Sequence, residues 1–501
     1  MSLNLINQKF LNARFTDGHK AICSLTDILK QAHLIKNLEY NYPVKSEMYA
    51  MYRFLTQLAT DIFRPADSEE IYDIFEDGAF DENEIDKYFE KYKSRFDLFD
   101  KEHPFMQTAS SEFTDIKKAK TDIKNMSPLI RQGNNDLFYN PIHHLKDERN
   151  WNLEHTVYNL VFNMMCHVKT GRGSKAPIMG SSGATPLFTL YEADNLFTTV
   201  ILGMDPVADN DIPCWRRDEY GEVYDRFSVM NYEFYPIMKV LLDEDSYRDD
   251  IFTNVFIETD NQHPIFSIGE NELNSIKLRI QLSHPGTIRR YNQTKKTDYA
   301  EKSDTDREFW FNMGILQQSR ASGDLLNTRN ITEIMYEEHT IPKKLTVSFF
   351  GLYKGKDKPF RNIHSSANNI PSALLFDKDK QAEIDKFIQY IETSGFYLLS
   401  KSISYAKEAF GTAKETAPRE YLDVREVFYR DAGNIFFAEY IKDEDVDMET
   451  YIKKIDNLCL MIFNDIPGIR GDVIIKRKFE RSLRGNLSKL KEDIYGRPEK
   501  G

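Results

Sequence analysis

The most glycine-dense stretch of the chain is Gly171-Arg172-Gly173-Ser174-Lys175, followed by Gly180-Ser181-Ser182-Gly183. A nucleotide-binding P-loop needs G-x-x-x-x-G-K-[ST] between a strand and a helix, with its lysine on the phosphates. Here the order is Gly-Ser-Lys and an apolar helical run comes first, so ATP binding is not expected. Two readings of the segment stand. Small residues let backbone N–H groups approach a phosphate or a groove, with Arg172 and Lys175 adding charge, or the segment is a connector. Other chemistries fail on residue type and spacing. The 11 histidines form no H-E-x-x-H and no His-Asp pair, and His143-His144 has no carboxylate set at ligand spacing. There is no G-x-S-x-G elbow. Cys23, Cys166, Cys214 and Cys459 are too scattered for a thiolate zinc site or a disulfide framework, which fits a reducing compartment. The expectation is a protein that is not an enzyme and carries no metal and no cofactor.

What remains is a set of loops suited to nucleic acid, at 131–140, 171–183 and 353–358. Arg131-Gln132-Gly133-Asn134-Asn135-Asp136 reads as a loop because Gly and Asn tolerate the left-handed region. Lys354-Gly355-Lys356-Asp357-Lys358 follows the strand-like run Leu345–Phe350 and reads as a hairpin tip. A fourth basic element is the last helix. From Arg470 to Lys491 it carries eight Lys or Arg against Asp472 and Glu480, and Arg477, Arg481, Arg484 and Lys491 share a face opposite the leucines. That face is either an ordinary solvated surface or a phosphate-contacting stripe.

These loops sit on a chain of 501 residues, 41% hydrophobic and 29% charged, a composition that folds and that suggests about three domains. The net charge is 66 − 79 = −13, which argues against coating nucleic acid by bulk charge but leaves room for a local basic patch. No window reaches the length of a membrane span, and Met1–Phe10 has no signal-peptide pattern, so a cytoplasmic protein is expected. Residues 1–15 alternate like a strand, with Asp17-Gly18 as its turn. Ser24 and Asp27 resemble a capping box opening a helix lined by Leu25, Ile28, Leu29 and Ala32. Residues 47–63 and 152–168 have helical spacing and should be core. Residues 67–102 carry 14 acids against 5 bases and read as a solvated helical surface. Ile276–Leu282 reads as a strand and 292–308 as a loop. After Pro371 four amphipathic helices follow, marked by Ile384, Phe428, Ile455 and Leu487 among others. The fold class is therefore α+β, with a large mixed N-terminal domain over 1–370 and a four-helix bundle over 371–501.

Several motifs resemble those of a known family. They are Asn4-Leu5-Ile6, Ser24-Leu25 before Ala32-His33, Arg95-Phe96-Asp97-Leu98-Phe99, His103-Pro104-Phe105-Met106-Gln107, Gly133-Asn134-Asn135-Asp136-Leu137-Phe138 and Gly183-Ala184-Thr185-Pro186. Together with the length and the helical C-terminal quarter, they are similar to CasA, the large subunit of the type I-E CRISPR surveillance complex Cascade. The resemblance implies a non-catalytic subunit for antiviral defence. It would recognise the short PAM in double-stranded target DNA, promote strand opening and R-loop formation, contact the 5′ handle of the guide RNA, sit among other Cascade subunits and recruit a separate helicase–nuclease, with no role for a membrane. It matches Phe138-Tyr139-Asn140, beside Asn134 and Asn135, to an aromatic-x-Asn loop near the PAM and RNA handle. It matches Gly171, Arg172, Gly173, Ser174 and Lys175 to a loop that enters the PAM minor groove, where readout is degenerate. The family's strand-parting wedge corresponds to Tyr353–Lys358, which lacks the wedge Gln of a relative and offers Lys354, Lys356, Asp357 and Lys358. Lys277 or Arg279 corresponds to a basic PAM contact. The competing readings are a scaffold subunit that does not read a PAM and a stand-alone metal-dependent nuclease.

Overall fold

The structure is a computed structural model. It describes residues 2–127, 150–166, 177–180, 184–219, 221–224, 226–259, 263–292, 296–300, 302, 330–354, 360–372, 378–411, 421, 423–442, 447–466 and 473–496. The described residues form two compact units that divide between Asn369 and Ile370. Mixed helix and sheet before this point and helices after it make the chain α+β.

The first unit opens with a small sheet of β1 (Leu11–Phe15), β2 (Lys20–Cys23) and β3 (Ile35–Leu38), in the order β2-β1-β3. The alternation expected from residue 1 becomes a strand only at Leu11. The Asp17-Gly18 turn closes the hairpin, with Gly18 at φ 93°, a conformation that costs glycine nothing. The helix α1 (Leu25–Lys30) starts on the Ser24–Asp27 capping box. Next come α2 (Lys45–Phe63), α3 (Ser68–Glu76) and α4 (Glu82–Lys91), the last two capped by Asp67 and Asp81 and carrying the acidic face.

The remaining elements of this unit are β4 (Lys120–Asp122), β5 (Trp151–Asn152), α5 (Leu153–Cys166), β6 (Phe188–Glu192), α6 (Leu196–Ile201), β7 (Met238–Leu242), β8 (Ile251–Phe252), β9 (Asn254–Thr259), α7 (Glu270–Ser283), β10 (Arg289–Asn292), β11 (Thr297–Ala300), α8 (Asn330–Glu337), β12 (Lys344–Lys354) and β13 (Phe360–Pro371). They build sheets ordered β13-β12-β6 and β4-β9-β7 and the pairs β5-β8 and β10-β11.

Two expectations are corrected. Ile276–Leu282 alternates in sequence but lies in α7. Leu273, Ile276 and Ile280 are buried at helical spacing, while Leu278 is 38% exposed, so the three- and four-residue stripe wins over the two-residue one. Within 292–308, read as a loop, Thr297–Ala300 pairs with Arg289–Asn292 as an antiparallel hairpin.

The helix α2 is the axis of the unit. Every residue from Tyr49 to Asp61 is buried, polar ones included. A helix buried on all sides must pair its polar groups internally. Asp61 accepts from Arg64 (2.9 Å), Arg216 (2.7 Å) and the Tyr88 hydroxyl (2.5 Å). Arg53 donates from Nε and Nη2 to the two oxygens of Glu233, at 2.9 and 3.1 Å, and from Nη1 to the Gly203 carbonyl at 2.7 Å. His284 Nε2 lies 2.7 Å from Glu233 Oε1, and Gln57 donates to Oε2. Burial alone would raise the Glu233 carboxyl, but Arg53 and His284 hold it down at about 2.

The second unit contains α9 (Lys378–Phe410), α10 (Val424–Asn434), α11 (Met448–Asp465) and α12 (Val473–Tyr495). The helix α9 packs on the other three, and α11 also packs on α10 and α12. The core holds Phe387, Ile391, Phe428, Ile455, Leu483 and Leu487. A Cβ on Gly395 would stand 2.9 Å from the Phe428 and Tyr429 rings, so glycine there sets how closely α9 and α10 approach.

Glu233→Gln should lower the denaturant midpoint of the first unit, because breaking a buried pair from one side costs about 3–5 kcal/mol. The carboxyl sits below its usual 4.5 when folded. Its stabilisation is therefore complete above about pH 4.5 and is lost as pH falls toward 2. The wild-type midpoint should drop across that window, and the Glu233→Gln midpoint should lose this component.

Candidate nucleic-acid interface

The apolar run that makes α5 contains one polar group used at its C-terminal turn. Asn163, 3% exposed, donates from Nδ2 to the Met126 carbonyl at 3.1 Å and to the Asn159 carbonyl at 2.8 Å. Met126 closes a turn over Ile123–Met126, and the buried Ser127 is the last described residue before 128–149. Cys166, three residues past Asn163, is the last before 167–176. Both segments therefore depart from one end of α5.

The first segment returns at Trp151, at the opposite end of a 14-residue helix about 21 Å long. Trp151 is buried, pairs with Phe252 and stacks on His155 at 4.2 Å. His155 stacks in turn on Tyr42 at 3.9 Å, and Tyr40 stacks on Tyr158 at 4.1 Å. Burial lowers the His155 imidazole to about 3 and raises the Glu47 carboxyl to about 8, so both groups beside this return point are neutral near pH 7. The Tyr40 hydroxyl donates to Glu47.

The second segment is held where it re-enters. Gln281 on α7 donates to the Ile178 carbonyl at 2.8 Å. Beyond 181–183, Ala184 bridges Tyr353, the Thr185 N–H donates to the Leu352 carbonyl at 2.9 Å, and the Leu352 N–H donates to Thr185 Oγ1 at 3.0 Å. The glycine-rich stretch and the 355–359 tip thus share a root at the end of β12. Lys277 stands one helical turn before Gln281, on the same face, whereas Arg279 is exposed on another.

Most of the site residues expected from sequence flank these roots. Asn134, Asn135, Phe138, Tyr139, Asn140, Gly171, Arg172, Gly173, Ser174, Lys175, Lys356, Asp357 and Lys358 lie outside the described residues, and Lys354 ends β12. In the second unit, Arg477, Arg481 and Arg484 are exposed on α12, opposite the buried Phe479, Leu483, Leu487 and Leu490. Arg484 pairs with Glu480 at 2.8 Å, Lys478 with Glu408 at 2.7 Å and Lys491 with Glu449 at 3.2 Å. Arg477 and Arg481 have no ion pair among the described residues. Among the described residues no three metal-ligating side chains cluster, and no helix is long and apolar enough to cross a membrane.

The family model described as CRISPR-associated protein Cse1 matches residues 4–442. The chain belongs to the Cse1 family. Its fold is similar to that of Thermus thermophilus CasA (Cse1), with 16% identity, a TM-score of 0.72 and coverage of 98% of this chain and 99% of that one. It is also similar to Thermobifida fusca Cse1, at 17% identity, TM-score 0.71 and 98% of each chain. A chain of a structure titled "CRISPR RNA-guided surveillance complex" matches at 15% identity and TM-score 0.71, over 97% of this chain and 99% of that one. No curated protein sequence matches. The resemblance to CasA is borne out, and at these identities the structural likeness is one of fold.

For this Cse1 chain, reading the sequence missed the residues that anchor the roots, namely Trp151, Asn163 and Thr185. Asn163 left a signal, since a polar side chain amid Val157–Cys166 needs a buried partner. Asn163→Leu should leave the Met126 carbonyl unpaired, a loss of about 1–3 kcal/mol. Hydrogen exchange should then quicken at Ser127 and Cys166 while the second unit is unchanged. Glu47→Gln should raise the thermal midpoint at pH 8 and leave it unchanged at pH 4. The folded carboxyl at about 8 sits above its usual 4.5, so wild-type stability falls as pH rises between those values.

Proposed function

We propose that this chain is the non-catalytic large subunit of a type I-E CRISPR Cascade in the cytoplasm. It recognises the PAM in double-stranded target DNA, promotes strand opening and recruits a helicase–nuclease. The observation that carries the reading is the Cse1 family match over residues 4–442. A relative of the same fold comes from an RNA-guided surveillance complex, which supports guide RNA and other Cascade subunits as partners. The convergence of the loop roots supports a shared interface. One end of α5 sends off both the segment with Asn134, Asn135, Phe138, Tyr139 and Asn140 and the segment with Gly171–Lys175. Thr185 and Leu352 tie the latter to the strand that leads to Lys356, Asp357 and Lys358.

In this assignment Phe138 stacks on a base and Asn140 bonds a base edge or the backbone. The glycines bring the backbone close to the minor groove. Lysines at 354, 356 and 358 grip phosphates of the parted strands, in place of a wedge Gln. Lys277 on α7, one turn before Gln281, adds a PAM-side charge. Arg477, Arg481 and Arg484 contact the opened strand. Sequence specificity comes from the guide, by base pairing, as in other RNA-guided effectors.

The deciding experiment is permanganate reactivity of target duplexes with a randomised PAM, using a reconstituted guide-RNA complex with and without the chain. Opening should require the chain and depend on the PAM. Opening indifferent to the chain would leave a scaffold role. Phe138→Ala or Asn140→Ala should weaken target binding by about tenfold, on the scale of one lost stacking contact, with the thermal midpoint unchanged. Reversing Arg477 and Arg481 to Glu should weaken binding of opened DNA and reduce its log–log salt slope by about 2.

A further inference from the structure

The 128–149 segment and the 355–359 tip depart from different places, beside the last turn of α5 and at the end of β12. Their returns, at Asn150 and Phe360, lead within two residues to one short strap, residues 41–46, which runs into α2. On one side the Tyr42 hydroxyl donates to Asn152 Oδ1 at 3.1 Å. That oxygen also accepts the His155 N–H at 2.9 Å, so it caps the first turn of α5. The Tyr42 ring stacks on His155 at 3.9 Å. On the other side Asn362, the third residue of β13, uses both ends of its side-chain amide. Its Nδ2 donates to the Pro43 carbonyl at 3.0 Å, and its Oδ1 accepts from Ser46 Oγ at 3.2 Å. Consecutive residues of the strap, Tyr42 and Pro43, therefore hold the two returns.

The strap itself has little freedom. Tyr40, just before it, is buried, stacks on Tyr158 of α5 at 4.1 Å and donates to Glu47. Pro43 fixes its own φ. Lys45 begins α2 and donates to the Tyr40 carbonyl. The strand β13 is likewise fixed to β12, where Ser366 meets Ser348 at 2.8 Å and Asn368 accepts from Thr346 at 3.1 Å. By contrast, the bonds that reach the two returns lie at the surface. Tyr42–Asn152 and Asn362–Pro43 are both exposed, and such bonds add little net stability because water competes for each partner. What they fix is geometry, since a displacement at one return meets the other through two side chains on a stiff support.

We propose that Tyr42 and Asn362 are positioning residues that couple the 128–149 segment to the 355–359 tip, so that the two engage target DNA interdependently. The coupling rests on the reading of both stretches as DNA-contacting. It adds that each stretch depends on the other through the protein and not only through the shared DNA.

The test is a double-mutant cycle on target-DNA affinity of the reconstituted guide-RNA complex, with Asn140→Ala in the first stretch and Lys356→Ala in the tip. With Tyr42 and Asn362 intact, the combined loss should differ from the product of the two single losses by about fivefold. The same cycle is then run in Tyr42→Phe, which keeps the ring stack and loses only the hydroxyl, and in Asn362→Ala. There the factor should fall to about twofold or less, with the thermal midpoint of Tyr42→Phe unchanged. If Asn362→Ala fails to fold by circular dichroism, Tyr42→Phe carries the test alone. Single losses that simply multiply with both residues intact overturn the proposal. So does a coupling undiminished in either folded variant, because it then runs through the DNA. If neither Asn140→Ala nor Lys356→Ala alone weakens binding, the functional reading fails and the coupling with it, an outcome distinct from two real losses that multiply.

Discussion

The first unit depends on one constraint: α2 is buried on every side and yet carries charge. The bidentate Arg53–Glu233 pair meets it, with His284, Gln57 and the Gly203 carbonyl completing the bonds. Through this pair α2 is joined to the turn after Val229–Tyr232, to the end of α7 and to the segment after α6. Replacing both partners with apolar residues would be tolerated far better than removing one. The pair therefore specifies arrangement more than it supplies net stability. Its bonds tie these segments to α2 at defined distances.

That fixed placement is what gives the candidate interface its geometry. Residues suited to nucleic acid lie on three separated stretches of chain, and what the framework contributes is the set of points where those stretches begin and end. Asn163 and Cys166 fix two beginnings on one turn. The reciprocal bonds of Thr185 and Leu352 join an end of the second stretch to the beginning of the third. Asn163 and Thr185 add polar contacts at two of these roots, beside the buried Met126, Cys166 and Leu352.

The sequence was informative wherever local rules decide the structure. The Ser24–Asp27 capping box, the Asp17-Gly18 turn and the four helices of the second unit follow from side chains a few residues apart. It misled at Ile276–Leu282, where alternation fits a strand and only contact with the rest of the unit selects the helical stripe. It missed the hairpin at Arg289–Ala300 because that stretch is polar and lacks the apolar alternation that marks a strand. The family was legible from motifs in the first 190 residues. The anchors Trp151, Asn163 and Thr185 were not, because their partners, Phe252, Met126 and Leu352, are distant in sequence.

Arg53 and Glu233 are 180 residues apart. During synthesis at roughly 5–20 residues per second, α2 leaves the ribosome about 10–40 s before the carboxylate that neutralises it exists. The Thr185–Leu352 contact spans another 167 residues. The nascent N-terminal half must therefore wait, with its central helix unburied and its arginine still in water, until most of the unit has been made. Native pairing of α2 then comes late, and in the interval its apolar residues are the surface a chaperone would meet.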